Sequence, residues 1–172
     1  YLPYPWESCI TLGNSWSYVP GDKYKSSRKV IHMLTDIISK NGNLLLNVGP
    51  GPDGEWDSLA YDRLEAIGKW MKINGEAVYD TEADPNLPRQ GKWAFTKKGT
   101  SIYAIYQVAE NEIVENTLSV NIPANVKIKN VSVMGGPQKV KFTNTGGNVV
   151  LFTADKSIVK QTEALVFKIV TE

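Results

Sequence analysis

The 172-residue sequence contains one cysteine, Cys9, and one histidine, His32. A single thiol excludes an internal disulfide framework. One His and one Cys do not make the ligand set of a dedicated zinc site, so no metal is expected. An excess of charge of one sign is also missing. The 19 Lys and Arg against 18 Asp and Glu leave a net +1, which offers no electrostatic footprint for nucleic acid or an anionic membrane. No apolar run approaches the roughly 20 residues that a spanning helix needs, so no membrane partner is expected. There is no internal repeat and no low-complexity tract. The chain opens Tyr1-Leu2-Pro3-Tyr4-Pro5-Trp6 with neither an initiator Met nor a signal peptide; the expectation is a fragment or a processed product. What remains, 42% hydrophobic and 22% charged residues, is an ordinary globular composition with room for one large domain or two small ones.

The chain is organised around Gly42-Asn43-Leu44-Leu45-Leu46-Asn47-Val48-Gly49-Pro50-Gly51-Pro52-Asp53-Gly54-Glu55-Trp56. The apolar run, interrupted only by Asn47, predicts a strand buried on both faces, as in a parallel sheet. Gly, Pro and Asp-Gly then force a loop. Before it, Ser26 or Ser27 can cap a helix whose apolar stripe is Val30, Met33, Leu34, Ile37 and Ile38. Asn41-Gly42 supplies its left-handed stop. After it, Asp57 or Ser58 caps a second helix lined by Ala60, Leu64, Ile67 and Met71 and ended by Asn74-Gly75. An earlier strand spans Trp6 to Leu12, with Glu7, Cys9 and Thr11 on one of its faces. Residues 1 to about 75 thus predict strand, helix, strand, helix: two βα units, whose edges and faces need the rest of a parallel sheet or (β/α)8 barrel.

Past a linker-like stretch, Asp84 to Gly91, the period changes from 3.6 to 2. Strands are predicted at Lys92–Thr96, Ser101–Val108, Thr117–Ile122, Val126–Val133, Val140–Phe142, Val149–Thr153 and Ala164–Val170. Lys97-Lys98-Gly99 and Thr145-Gly146-Gly147 read as hairpin connections. A slip of apolar phase between Ile128 and Val131 predicts a bulge. Strands at this spacing argue for a β-sandwich. The fold class is therefore α/β plus all-β: the last βα units of a (β/α)8 barrel over residues 1–83, then an antiparallel β-sandwich over residues 84–172.

Three collinear motifs carry a family resemblance. They are Trp6-Glu7-Ser8-Cys9 with Leu12-Gly13-Asn14-Ser15-Trp16-Ser17-Tyr18, then Asn43 to Pro50 with Asp53-Gly54, then Ile67-Gly68-Lys69-Trp70 with Asn74-Gly75-Glu76-Ala77-Val78-Tyr79. Together they resemble the α-L-fucosidases of glycoside hydrolase family 29. The resemblance covers about the first eighty residues; from about Leu87 only the architecture is similar. It implies a retaining exo-α-L-fucosidase working on fucosylated glycans or fucosides, without cofactor, in a periplasmic, secreted or lysosomal-type compartment. It also implies an Asp nucleophile and, shortly before Trp6-Glu7, an acid/base Glu. Both would lie upstream of Tyr1, leaving the rest of the barrel as this chain's partner.

Ligands in such folds sit beyond the carboxyl ends of the strands, which makes Trp16 the leading substrate-binding candidate. An indole face suits the apolar side of a sugar, and the resemblance places an aromatic here against the fucose methyl. The competing reading is an aromatic that closes the barrel mouth. Asn47 either orients a loop or catalytic side chain at the strand end, or is a satisfied amide holding the Gly49-Pro50 turn. Glu7 is a carboxylate of the type glycosidases need, yet it sits near the amino end of its strand; a buried Glu paired to an Arg is the ordinary alternative to an acid/base role. Asp53-Gly54 reads as a turn. Gly49-Pro50-Gly51 is no phosphate loop, lacking Gly-Lys-Ser/Thr and losing amide donors to proline. His32 has no second histidine and reads as a surface or boundary residue. Asp36 and Lys40 read as a solvated i, i+4 pair.

The rival function is a non-catalytic carbohydrate-binding or scaffolding β-sandwich with an αβ extension. Against it, Tyr103, Tyr106, Phe142, Phe152 and Phe167 occupy alternating, core-like positions, with Tyr103 and Tyr106 on opposite faces of one strand.

Overall fold

The computed structural model describes residues 1–136, 140–145, 149–153 and 163–172. Strand β1 (Trp6–Thr11) runs into helix α1 (Ser27–Ile38), strand β2 (Gly42–Asn47), helix α2 (Ser58–Asn74) and one 3-10 turn, Gly75–Ala77. Seven strands follow: β3 (Trp93–Lys98), β4 (Ser101–Gln107), β5 (Thr117–Asn121), β6 (Ile128–Val133), β7 (Phe142–Asn144), β8 (Val149–Thr153) and β9 (Ala164–Thr171).

The helix ends follow from local chemistry. The Ser26 hydroxyl accepts from the Lys29 amide at 3.1 Å, and the Asp57 carboxylate accepts from the Ala60 amide at 3.0 Å; each side chain satisfies an orphan donor of the first turn. Asn41, at φ 70°, turns the chain after α1 into β2. Gly42 is required there by close approach, since a Cβ would stand 2.6 Å from the Trp6 indole.

The strands form three separate sheets. β1 and β2 pair in parallel, from Trp6 opposite Gly42 to Thr11 opposite Asn47. β3-β4-β9-β6 and β5-β8-β7 are antiparallel. The predicted phase slip appears as a register shift between Ile128 and Asn130 where β6 meets β9. The Thr145-Gly146-Gly147 connection falls partly outside the described residues, as does the environment of the Phe152 side chain.

Three cores stack these elements in layers. Leu12, Val30 and Ala60, with Leu44, Leu46 and Val48 against them, fill the space between the parallel pair and the helices. Ile31, Trp70 and Ala77 pack on Ala94, Tyr103, Ile105 and Val166, one face of the four-stranded sheet. Phe95, Ala104, Phe167 and Ile169 on its other face meet Leu118, Val120 and Val150 of the three-stranded sheet. Buried hydrogen bonds fasten the helices to the sheet. Trp70 Nε1 donates to the Ala164 carbonyl at 2.9 Å, Gln107 Nε2 to Thr35 Oγ1 at 2.9 Å, and Thr96 Oγ1 to the Ala77 carbonyl at 2.8 Å.

This layering corrects two expectations. α1 touches two sheets, so its buried arc is wider than one stripe: Ile31 is fully buried, while Met33 and Leu34 are only partly so. On α2 the expected inner face is present, with Ala60 buried and Ile67 and Met71 packed against the cores, and Trp70 joins it as a further buried anchor. Nor is β2 buried on both faces. Leu44 and Leu46 face the helices, but Asn43 and Leu45 are exposed. Among the described residues nothing packs on that second face, which carries Glu7 and Cys9 from β1 as well.

Candidate functional site

The carboxyl ends of the two parallel strands share one mouth. β1 passes into it through Leu12, whose amide donates to the Asn47 carbonyl at 2.8 Å and whose carbonyl accepts from the Lys25 amide at 2.9 Å. Between them the chain loops out through Gly13 to Tyr24. Side chains tie down the backbone of this loop at several points. Thr11 Oγ1 donates to the Ser15 carbonyl at 2.9 Å. Asp22 Oδ2 accepts from the amides of Asn14 at 2.8 Å and Ser15 at 3.2 Å, and Oδ1 from that of Lys23 at 2.7 Å. Partial desolvation pushes the Asp22 carboxyl up, but these amides outweigh it and hold the group below its ordinary range. Lys25 Nζ donates to the carbonyls of Thr11 at 2.6 Å and Gly13 at 2.8 Å.

The second loop closes the mouth from the other side. Asn47 Nδ2 donates to the Trp16 carbonyl at 2.8 Å and to Thr11 Oγ1 at 3.3 Å. Gly49 lies directly against the first loop, where a Cβ would meet Tyr18 N at 2.6 Å and Ser17 C at 2.8 Å. The turn beyond is closed by Gly51 N donating to the Glu55 carbonyl at 2.7 Å and by Gly54 at φ 85°. The Asp53 carboxylate accepts from the Glu55 amide at 3.1 Å, as its turn-forming sequence implies. Tyr24 links the two loops, its hydroxyl donating to Asp57 Oδ2 at 2.8 Å. Burial and the Asp57 carboxylate push that hydroxyl up to about 12.

Trp16 and Asn47, singled out separately in the sequence, are thus brought together. The Asn47 side chain holds the Trp16 main chain, while Trp16 as a residue stays 57% exposed. A rigid backbone carrying an uncovered aromatic face is a surface on which an apolar ligand face can stack. Glu7 is not part of this mouth. Four residues before Thr11 on an extended strand, it lies roughly 13 Å away along β1. It is exposed, and its Oε1 faces the Cys9 thiol at 3.6 Å. Among the described residues no Arg pairs with it and nothing packs on the face it occupies.

Sequence reasoning missed Asp22 and Lys25, whose roles depend on loop shape and leave no periodic signal. It also passed over Trp56 and Tyr61, whose rings meet at a tilt of 53° with centroids 5.5 Å apart beside the second loop and which are 37% and 46% exposed. Trp56, like Trp16, is a large aromatic in a polar loop and carries the same signal.

Away from the mouth, His32 sits half-buried at the helix–sheet boundary, its Nε2 2.8 Å from the Glu163 carbonyl. Desolvation lowers its pKa. Asp36 does pair with Lys40 at 2.6 Å, but it also binds Arg89 of the linker, so the pair anchors the connection rather than standing alone in solvent.

The model of the α-L-fucosidase family matches residues 1–76, the segment that builds this mouth. Over that segment the chain is similar to the α-L-fucosidases. It is 29% identical over 150 residues to the α-L-fucosidase of Branchiostoma floridae, which covers 83% of this chain and 32% of that protein. It is 38% identical to human plasma α-L-fucosidase over 113 residues, 61% of this chain and 24% of that protein. Among solved structures, α-L-fucosidase isoenzyme 1 from Paenibacillus thiaminolyticus superposes with a TM-score of 0.83 at 28% identity, over 98% of this chain and 40% of that one. The Thermotoga maritima α-fucosidase in complex with fucose superposes at 0.81 with 26% identity, over 98% and 41%. The chain therefore spans about a quarter to a third of the length of the curated relatives it matches. The family match ends at Glu76, but the structural likeness runs through both antiparallel sheets.

Proposed function

We propose that this chain is part of a retaining, exo-acting α-L-fucosidase that releases terminal α-L-fucose from glycans. In this reading residues 1–83 contribute two βα units to a (β/α)8 catalytic barrel, and residues 84–172 form the β-sandwich beside it. The observation that carries the proposal is the family match over the segment whose loops build the Trp16–Asn47 mouth. The bare second face of the β1–β2 pair agrees with it, since parallel strands are ordinarily covered on both sides. The relative from Thermotoga maritima binds fucose, the ligand class the mouth is proposed to take.

Trp16 supplies an apolar wall for the sugar, and Asn47 holds that wall in place. The chemistry needs two carboxylates, one a nucleophile that forms a glycosyl-enzyme and one an acid/base. The exposed, distant Glu7 is poorly placed for either, so both are assigned to the polypeptide upstream of Tyr1. Hydrolysis of an aryl α-L-fucoside tests the proposal. The complete polypeptide carrying this chain should turn it over in preference to other aryl glycosides, while residues 1–172 alone should not. Turnover by residues 1–172 alone would remove the claim that the catalytic pair lies elsewhere.

The reading as a binding-only sandwich fares worse, because Phe95, Tyr103 and Phe167 are spent on the core.

A further inference from the structure

We infer that Asp22 and Lys25 are positioning residues that set the presentation of the Trp16 indole to the sugar; the inference rests on the proposed role of Trp16. A loop leaving a strand carries unpaired amides and carbonyls that must find partners. Here one charged side chain serves each kind. The Asp22 carboxylate gathers three amides, of Asn14, Ser15 and Lys23, at 2.7 to 3.2 Å. The Lys25 ammonium gathers the Thr11 and Gly13 carbonyls at 2.6 and 2.8 Å. Charge-assisted bonds of this type are stronger than neutral ones.

The fit is close. A Cβ at Gly13 would stand 2.2 Å from Asp22 Oδ2, so the carboxylate fills the space that any side chain there would occupy. Asp22 fixes the loop at Asn14 and Ser15, immediately before Trp16, and Asn47 fixes it at the Trp16 carbonyl. Trp16, between these anchors, is nonetheless 57% exposed. A tightly held backbone under an uncovered ring places the ring for a ligand, because its own packing gains little from the anchoring. Ordering the loop before the ligand arrives removes that cost from binding.

The test is a double-mutant cycle in the complete polypeptide, read as kcat/KM on an aryl α-L-fucoside. Trp16→Ala should lower kcat/KM at least tenfold. Asp22→Ala and Lys25→Met, each alone, should lower it about three- to tenfold, chiefly by raising KM. Asp22→Asn, which keeps one acceptor oxygen, should recover part of the loss. In the Trp16→Ala background, the Asp22 and Lys25 substitutions should cost less than twofold. Equal fractional losses with and without Trp16 would overturn the inference and make the two residues general staples of the fold. So would an undiminished kcat/KM in both Asp22→Ala and Lys25→Met while Trp16→Ala is impaired. If Trp16→Ala itself retains full kcat/KM, the pocket role of Trp16 fails, and the inference falls with it for that distinct reason. Should Asp22→Ala not fold, Asp22→Asn and Lys25→Met complete the same cycle.

Discussion

The side-chain amide of Asn47, the last residue of β2, donates to the main-chain carbonyl of Trp16 in the loop after β1, at 2.8 Å. One parallel strand therefore dictates the shape of the loop that leaves its neighbour. Asn47→Ala removes that donor and leaves the carbonyl to find water, at about 0.5–1.5 kcal/mol. Asn47→Asp should be worse at neutral pH, because an anionic oxygen then faces the carbonyl oxygen. Thermal melts of the three proteins should rank Asn47 above Ala above Asp. Fucoside kinetics on the complete polypeptide should follow the same order.

Trp16→Ala should weaken use of a fucoside tenfold to a hundredfold in kcat/KM, about 1–3 kcal/mol, with little change in melting temperature, because the ring is mostly exposed. The loss should shrink on a substrate lacking the C6 methyl, since that contact is then missing in both proteins. Kinetics on the two substrates with a parallel melt make the check. Equal losses on both, together with a depressed melt, would make Trp16 a structural plug.

Gly49→Ala should destabilise the mouth although alanine is ordinarily mild. The new Cβ would stand 2.6 Å from Tyr18 N and 3.2 Å from the Trp16 carbonyl oxygen, and these are backbone atoms that cannot rotate aside. Forced overpacking costs about 1–3 kcal/mol. Denaturant unfolding of Gly49→Ala beside Gly68→Ala, where a Cβ meets open space, should show the loss only at position 49.

A pH effect is expected where the helix layer meets the sheet. Glu76 accepts from Lys168 and, at 2.8 Å, from the Tyr103 hydroxyl. The hydrogen bond from Lys168 is the largest influence and lowers the Glu76 pKa, with Tyr103 and the nearby Lys98 acting in the same direction against some desolvation. A group whose folded pKa is depressed stabilises the protein above its unfolded pKa, and that contribution is lost as pH falls through the folded value. Stability should therefore decline as pH drops below the ordinary 4.5 of a glutamate, and Glu76→Gln should flatten part of that decline. The effect is small, because the Glu76 side chain is 44% exposed and screened by solvent. Melting temperatures between neutral pH and the acid limb, for both proteins, measure it.

Local pattern carried much of the chain. The caps Ser26 and Asp57, the left-handed Asn41 and the bulge near Ile128 are decided by chemistry within a few residues, and they stand where the sequence puts them. The strands from Trp93 onward lie near their expected places, but β3 runs on through Lys97 and Lys98, and β7 begins at Phe142 instead of Val140. The candidate site was legible only as separate parts. Trp16 could be recognised as an aromatic in a polar loop, and Asn47 as a polar break in an apolar run. That one holds the other depends on the parallel register placing Thr11 opposite Asn47, a pairing between residues 36 apart in the chain. Asp22 and Lys25 left no signal, because a carboxylate or ammonium serving loop backbone has no required spacing. The burial of Ile31 and Trp70 was likewise decided by tertiary structure. A periodic stripe reports one buried face, whereas these helices lie between two sheets and bury a second. Short-range geometry is written in sequence because its partners are sequence neighbours; which distant surfaces meet is settled only when the layers pack.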